Sequence, residues 1–195
     1  MELAEKTDSQ MIIHQIPPVW NSESEVLLLG TMPSPKSREA GFFYMHPQNR
    51  FWKVLPAVFG ESLHNPNNSP DREAAISEKC DFLLRHHIAL WDVLASCEIS
   101  GAADSSIKNA IPNDFDEILS HSKIKRVFCT GKTAFSLWNK TCAPKYEERY
   151  RLTVEYLPST SPANAAFSLE KLIEAYKAVD ISSTKTPFEK SAILR

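Results

Sequence analysis

The residues of this sequence that are able to do chemistry fall in four polar segments. These segments cover residues 31–49, 96–107, 131–132 and 159–164, and they carry amide, hydroxyl and aromatic side chains. Each segment follows an apolar run typical of a buried strand, and in open α/β sheets ligands bind where the strands end. Gly131 also opens a predicted helix, and free backbone amides at that point suit a phosphate group. The four segments therefore predict one polar, ligand-binding rim.

This rim lacks the motifs of several common enzyme classes. No serine lies in a GxSxG motif, and the HExxH, GxxxxGK[ST] and GxGxxG motifs are absent. Their absence argues against an α/β-hydrolase, a metalloprotease, a P-loop enzyme and a dinucleotide-binding enzyme. Asp92 lies near the end of a predicted strand. Its carboxylate could act as a general base or could be a hydrogen-bonded structural group, and both roles are open.

Apolar runs and helical spacing predict the elements that position the rim. Four strands are expected at residues 26–29, 87–94, 125–129 and 151–157. The first is apolar throughout, as in a parallel sheet that is covered on both faces. Helices are expected from about residue 50 and at 72–86, 115–122, 132–141 and 169–179. This alternation predicts the α/β class: a three-layer α/β/α sandwich with a central four-stranded parallel sheet.

Length and composition indicate a single domain. The chain has 195 residues, of which 43% are hydrophobic and 24% are charged, which is ordinary for a globular protein with one core. We expect the domain to span residues 1–181, with a flexible start at 1–11 and a polar C-terminal tail at 182–195. No apolar run is long enough to cross a membrane and no leader peptide is evident, so we expect an intracellular protein.

Charge and cysteine content narrow the choice of partners and cofactors. The formal net charge of -2 gives no overall attraction to nucleic acid, so DNA binding would have to come from a local basic surface. The four cysteines are widely spaced and form no CxxC pair, which favours free thiols over disulfides or a zinc site. We therefore expect no bound metal.

Several long segments carry a family resemblance. The segments GTMPSPKSREAGFFYMHPQNRFWKVL, DSSIKNAIPNDF and LPSTSPANA resemble the hypoxanthine-DNA (deoxyinosine) glycosylases of the uracil-DNA glycosylase superfamily. The segments HPQNRFWKV and SLEKLIEAYKAV also resemble the mismatch-specific branch of that superfamily. The resemblance covers residues 26–179, nearly the whole predicted domain, and the superfamily's fold is the one that the strand count predicts.

The resemblance implies a monofunctional DNA repair enzyme. Such an enzyme flips a deaminated base out of DNA and hydrolyses its N-glycosidic bond, with hypoxanthine preferred and uracil or xanthine as further candidate bases. The reaction needs a positioned water and stabilisation of the departing base rather than a metal. We expect a monomer without a cofactor that acts on DNA, cytoplasmic at the nucleoid in a prokaryote and nuclear in a eukaryote.

The resemblance also implies a catalytic residue. The mismatch-specific branch orients water with an asparagine in its first motif, but Met32 occupies the matching position here and has no suitable group. The hypoxanthine-acting group points instead to Asn49 as the catalytic residue, which would act by orientation and hydrogen bonding because an amide is a weak base. The alternative is that Asn49 caps the helix that follows, and the two roles are compatible.

The expected base-binding set comes from three of the polar segments. Tyr44 matches an aromatic residue that stacks on the flipped base, although packing with its neighbours Phe42 and Phe43 is the alternative. His46 precedes a proline, so a structural hydrogen bond competes with a binding role. The full predicted set is Thr31, Met32, Tyr44, His46, Asp104, Ser105 and Ser106, of which the last three would be solvated turn residues if they do not bind the base.

The expected DNA-binding set lies around the same rim. Residues 159–164 match the family's second motif, which presses into the minor groove and holds the flanking phosphates. Ala163 takes the position of a wedge leucine, and the motif lacks a histidine to stabilise an anionic leaving base. The predicted set is Ser34, Lys36, Gly131, Lys132, Ser159, Ser161, Pro162, Ala163 and Asn164; for Ser161 and Asn164 the alternative is a turn and a helix cap.

Two other functions remain open at the level of sequence. Met32 and the missing histidine are compatible with a catalytically weak DNA-binding module on the same fold. A small-molecule nucleoside hydrolase could use the same rim. However, the rim consists of separate polar loops that could grip both flanks of a DNA strand, which argues against this function. Release of a base from DNA, and not from a free nucleoside, would distinguish the enzyme from both.

Overall fold

The computed structural model describes residues 10–99 and 106–181, which form two β-sheets and their flanking helices. The strands are β1 (Gln10–Ile13), β2 (Val26–Gly30), β3 (Ile88–Asp92), β4 (Leu94–Ile99), β5 (Lys108–Pro112), β6 (Arg126–Thr130) and β7 (Thr153–Leu157). Strands β2, β3, β6 and β7 form a four-stranded parallel sheet in the order β3-β2-β6-β7. The predicted central sheet is confirmed.

Seven α-helices surround this sheet in the described part of the chain. They are α1 (Pro35–Ala40), α2 (Phe51–Val58), α3 (Arg72–Arg85), α4 (Asp116–Ser120), α5 (Lys132–Leu137), α6 (Ala143–Tyr150) and α7 (Leu169–Tyr176). A π-helical turn, Trp138–Cys142, joins α5 to α6, so this helical stretch extends well beyond the predicted end near residue 141. No helix among the described residues is long and apolar enough to cross a membrane.

The apolar run of β2 explains the three layers. All five of its residues are buried, and their side chains alternate between the two faces of the sheet. Leu27 and Leu29 join one core cluster with α4, α5 and α6, whereas Val26 and Leu28 join a second cluster with α2, α3 and α7. Each face of the sheet is therefore covered, as expected from its sequence.

A second sheet, which the sequence analysis did not predict, corrects two expectations. Strands β1, β4 and β5 form a three-stranded antiparallel sheet in the order β1-β4-β5. Residues 96–99 thus belong to a strand rather than to a loop, and Gln10 and Met11 belong to β1 rather than to a flexible start. Register shifts between β4 and β5 interrupt the strict alternation of buried and exposed side chains. The sequence pattern of β4 therefore did not predict a strand.

Helix α1 lies inside the segment 31–49 that was expected to be a loop. Ser34 caps its first turn by accepting a hydrogen bond from the backbone N–H of Ser37, and Pro35 occupies the first helical position. Gly41 ends the helix in the left-handed conformation, with φ of 71°. The segment is therefore a compact structure that returns the chain towards the sheet.

Candidate active site

A cavity lies at the carboxyl ends of the parallel strands, where the sequence predicted a ligand-binding rim. Its volume is about 580 Å³. Gly30, Asp92 and Thr130 line it, and each is the last residue of its strand. Buried residues form its inner end, whereas the exposed residues Lys132 and Ala163 lie at its mouth. A ligand that enters between the mouth residues meets the strand ends.

Asn49 lines this cavity with its amide held in one orientation. Its Oδ1 accepts hydrogen bonds from the backbone N–H of Phe51 and from Thr160 Oγ1, both at 2.9 Å. A backbone N–H can only donate, so the atom that faces Phe51 must be the oxygen. The Nδ2 group makes no hydrogen bond to any residue that the structure describes. Asn49 therefore supports the start of α2 and offers N–H donors to a ligand.

Arg50 connects the start of α2 to the loop 158–167 on the other side of the cavity. Its guanidinium donates to the backbone oxygens of four loop residues, Thr160, Ser161, Asn164 and Phe167. The Arg50 backbone N–H also donates to the Thr160 oxygen. Hydrogen bonds from a charged donor are about twice as strong as neutral ones. Arg50 thus holds two cavity walls together.

Tyr44 forms part of the wall beside Gly30. Its ring stacks on Phe51 with centroids 4.0 Å apart and 8° between the planes, and its hydroxyl lies 2.6 Å from Thr130 Oγ1. Tyr44 has φ of 56°, a strained value for a residue with a side chain. A Cβ atom on Gly30 would lie 2.9 Å from the Tyr44 hydroxyl and 2.2 Å from Asp92 Oδ1. Only glycine leaves room for both side chains.

Asp92 is a buried carboxylate at the inner end of the cavity. Its Oδ2 lies 2.9 Å from His14 Nε2, and the two side chains are only 5% and 2% exposed. Burial raises the pKa of the Asp92 carboxyl above its ordinary value, and the hydrogen bond and charge of His14 oppose that rise. His14 follows β1, so the unpredicted small sheet supplies the partner of this carboxylate.

Most of the predicted site residues do lie together around the cavity. Those that line it are Thr31, Met32, Ser34, Tyr44, Asn49, Gly131, Lys132, Ser159, Ser161, Ala163 and Asn164. Asn164 Nδ2 donates to the Ser159 oxygen, and the Ser159 hydroxyl accepts from the Ser161 N–H, so the second-motif segment is built by its own polar groups. Ser161 and Asn164 therefore take part in the predicted turn, whereas Ser168 and not Asn164 caps the following helix.

Other predicted residues do not line the cavity. His46 Nδ1 accepts a hydrogen bond from the Gln48 N–H, in agreement with the structural alternative. Lys36 pairs with Glu39 on the exposed side of α1. Pro162 is exposed at the tip of its loop. Ser106 is half-buried and is not among the residues that line the cavity. Asp104 and Ser105 lie outside the described residues.

Sequence reasoning missed three residues that the structure places in or behind the cavity wall, Thr160, Thr130 and His14, and it left the role of Asp92 open. Thr160 lies within the quoted LPSTSPANA segment, but its role depends on a contact with Asn49 that no local pattern shows. Thr130 ends β6 and Asp92 ends β3, and a position close to the end of a predicted strand was the available signal for both. His14 had no signal, because it is brought to Asp92 by the strand that precedes it, β1, which was not predicted. No group of three potential metal ligands occurs in the described ranges 10–99 and 106–181.

Comparison with known proteins identifies the family. The model of the uracil DNA glycosylase superfamily matches residues 17–180. A hypoxanthine DNA glycosylase of Methanosarcina acetivorans is 30% identical over 161 residues, which cover 81% of this chain and 92% of that protein. A hypoxanthine DNA glycosylase of Methanosarcina barkeri is 33% identical over 117 residues, which cover 60% of this chain and 69% of that protein.

A solved structure shows the same fold. The solution NMR structure of a uracil DNA glycosylase candidate from Methanosarcina acetivorans superimposes with a TM-score of 0.67 at 25% sequence identity. The match covers 87% of this chain and 99% of that one. Fold and family model agree, and the chain belongs to the uracil DNA glycosylase superfamily.

Proposed function

We propose that this protein is a DNA glycosylase that releases hypoxanthine from DNA. Two relatives of this chain are named hypoxanthine DNA glycosylases, and one of them aligns with most of it. The observation that carries the proposal is the cavity of about 580 Å³ at the strand ends, lined by an amide with unused N–H donors. Cavities of this size suit a small organic group such as one base.

The base must leave the DNA stack to reach this cavity. Lys132 and Ala163 are exposed at its mouth, whereas Asp92 is buried at its inner end. A flipped nucleotide enters base first, so the base meets the buried groups and the sugar stays near the mouth. Asn49 is half-buried and also lines the cavity, and we infer that the N-glycosidic bond is positioned beside it.

Hydrolysis breaks the bond between C1′ of the sugar and N9 of hypoxanthine. The water oxygen bonds to C1′, the bond's electron pair stays with the departing base, and a proton from the water neutralises the products. Asn49 Oδ1 is already held by two donors, so this residue acts through Nδ2 by donating to the atoms where negative charge develops. Fixed donors of this kind typically contribute about 10²- to 10³-fold in rate.

The DNA strand is held by the loop 158–167 and by nearby basic and hydroxyl groups. Arg50 fixes this loop from behind, so its exposed tip at Pro162 and Ala163 is presented in a set conformation. Lys132 is placed to contact a flanking phosphate. The enzyme acts as a monomer without a cofactor, in the compartment that holds the DNA. Uracil and xanthine are further candidate bases.

Release of free base from defined duplexes tests this proposal. The protein is incubated in excess with duplexes that contain one hypoxanthine, uracil or xanthine, and with free inosine. We expect hypoxanthine to be released from DNA and inosine to remain intact. Binding without release from any duplex would favour the DNA-binding module, and cleavage of inosine would favour a nucleoside hydrolase.

A further inference from the structure

The buried pair of His14 and Asp92 is an ionisable element of the cavity that the proposed reaction does not use. Asp92 is the only carboxylate among the described cavity-lining residues. Its Oδ2 is bound by His14, and its backbone oxygen accepts a hydrogen bond from Asn113 Nδ2 at 2.9 Å. Burying a charged group costs free energy unless it is paired, so this arrangement needs an explanation.

The remaining oxygen of the carboxylate faces the space beside Gly30. Oδ1 has no hydrogen-bond partner among the residues that the structure describes, and it lies 2.2 Å from the position that a Cβ atom on Gly30 would take. Gly30 and Asp92 are paired in neighbouring strands and both line the cavity. The absence of a side chain at residue 30 thus leaves an acceptor accessible at the inner end, where the base is expected.

Deamination changes the hydrogen-bonding edge of a base in a way that such an acceptor can read. Adenine has an unprotonated N1, whereas hypoxanthine has an N1–H; cytosine has an unprotonated N3, whereas uracil has an N3–H. Enzymes that flip a base read it through hydrogen bonds to this edge. An ionised carboxylate only accepts, so it attracts the ring N–H and repels the bare ring nitrogen of the parent base.

We propose that Asp92 recognises the ring N–H that deamination creates, and that His14 is the positioning residue that holds this carboxylate. This inference rests on the proposed function and deepens it by naming the recognised chemical group. It covers hypoxanthine, uracil and xanthine with one contact. Guanine also carries an N1–H, so the contact separates deaminated bases from adenine and cytosine only.

His14 sets both the orientation and the charge of Asp92. An ionised carboxylate accepts, so His14 Nε2 is the donor of the 2.9 Å hydrogen bond, and this bond turns Oδ1 towards Gly30. The His14 ring is fixed between Phe43 and Trp91, with centroids 6.1 and 6.2 Å away. His14 opposes the rise that burial causes in the pKa of the Asp92 carboxyl, so loss of His14 would favour the protonated form, which presents a donor in place of an acceptor.

Binding preference and base release in matched variants test the inference. Preference is the ratio of Kd values for duplexes with unsubstituted purine, which has no ring N–H, and with hypoxanthine, both on a 2′-fluorinated sugar that slows cleavage. The variants are Asp92→Asn, His14→Leu and His14→Gln. The control is Glu61→Gln, which alters another histidine–carboxylate pair, Glu61 with His86 at 2.8 Å, away from the cavity.

We expect the wild type to prefer hypoxanthine and Asp92→Asn to lower this preference about 10- to 100-fold, because a hydrogen bond to a charged group is lost. In this variant His14 would bind the amide oxygen, so the amide N–H₂ would face the base. His14→Leu should also lower the preference, His14→Gln should lower it less because it keeps a donor, and Glu61→Gln should leave it unchanged.

Several results would overturn the inference. They are an equal preference in wild type and Asp92→Asn, an unchanged preference in His14→Leu, or no preference in the wild type. Thermal unfolding shows whether each variant is folded, and if Asp92→Asn is not, the two His14 variants decide. If the wild type releases no hypoxanthine from DNA, the proposed function fails separately, since release and binding preference are measured on different duplexes.

Discussion

The Oγ1 atom of Thr160 lies 2.9 Å from Oδ1 of Asn49, and this contact joins two segments that are 111 residues apart in the chain. It occupies one of the two lone pairs of the amide oxygen, and the Phe51 N–H occupies the other. The amide therefore cannot rotate without breaking two hydrogen bonds. Its N–H donors are fixed before a substrate binds, which is the arrangement that favours transition-state stabilisation.

This contact predicts a specific effect of Thr160→Val. The substitution keeps the shape of the side chain but removes the donor, so the amide is held only by Phe51. We expect single-turnover release of hypoxanthine to fall about tenfold, whereas the free energy of unfolding should fall by only about 1 kcal/mol. Thr160→Ser keeps a hydroxyl and should retain most of the activity. Equal rates in Thr160→Val and the wild type would show that Asn49 needs no second donor.

Tyr44 should contribute to binding of the flipped base. Fully buried Phe51 covers one side of its ring, so the other side borders the cavity. Stacking of a base on an aromatic ring contributes about 1 to 3 kcal/mol, so Tyr44→Leu should raise the half-saturating DNA concentration about 10- to 100-fold. Tyr44→Phe keeps the ring while removing the hydroxyl that bonds Thr130, and it should change this concentration far less. Similar half-saturating DNA concentrations for Tyr44→Leu and Tyr44→Phe would argue that Tyr44 has a packing role alone.

Lys132 should contact the DNA backbone. It is exposed at the cavity mouth, whereas Lys123 is an exposed lysine that pairs with Glu23 just before the amino end of β6. A single phosphate contact contributes about one unit to the slope of log affinity against log salt concentration. Lys132→Gln should lower this slope by about one and weaken binding to every sequence. Lys123→Gln should do neither, and equal effects of the two would exclude a specific phosphate contact.

Buried Lys79 predicts a pH dependence of stability. Its Nζ donates to the backbone oxygens of Asn65 and Ala75, and burial lowers the pKa of its ammonium group below the ordinary lysine value of about 10.4. Between the lowered pKa and about 10.4, the unfolded chain binds more protons at this site than the folded one, so stability increases with pH. Lys79→Met should remove this increase.

The control for this prediction is Lys53→Met, because Lys53 is exposed. Chemical unfolding at several alkaline pH values would give the comparison, and tyrosine titration would affect both variants alike. An equal rise with pH in Lys79→Met and in the wild type would contradict the account of Lys79. The lysine also anchors the loop from which Asn67 Nδ2 donates to the backbone oxygens of Tyr44 and His46.

The central sheet was predictable because its information is local. The run from Val26 to Gly30 is apolar on both faces, and the helices that cover it show the 3.6-residue period of one-sided burial. The meeting of segments 31–49 and 159–164 also followed from this fold, because both leave the carboxyl ends of its strands. Eleven of the predicted site residues line one cavity for that reason.

The remaining features depend on contacts between distant residues. Strand β4 pairs with β1, but register shifts along β4 and β5 disrupt the alternation that would have marked it. His14 meets Asp92 only because this small sheet forms, and the two are 78 residues apart in the chain. Arg50 would be a phosphate ligand by residue type alone, yet its donors are used by the backbone of the loop 158–167.

The most direct test of the account compares hypoxanthine release by the wild type, Asn49→Ala and Asn49→Asp under single-turnover conditions, with thermal unfolding to confirm folding. We predict release by the wild type and a loss of about 10²- to 10³-fold in Asn49→Ala, since a fixed donor is removed. Asn49→Asp should be equally poor, because it replaces the donor with an acceptor. Wild-type rates in either variant would contradict the assignment of Asn49, and no release by the wild type would contradict the proposed function.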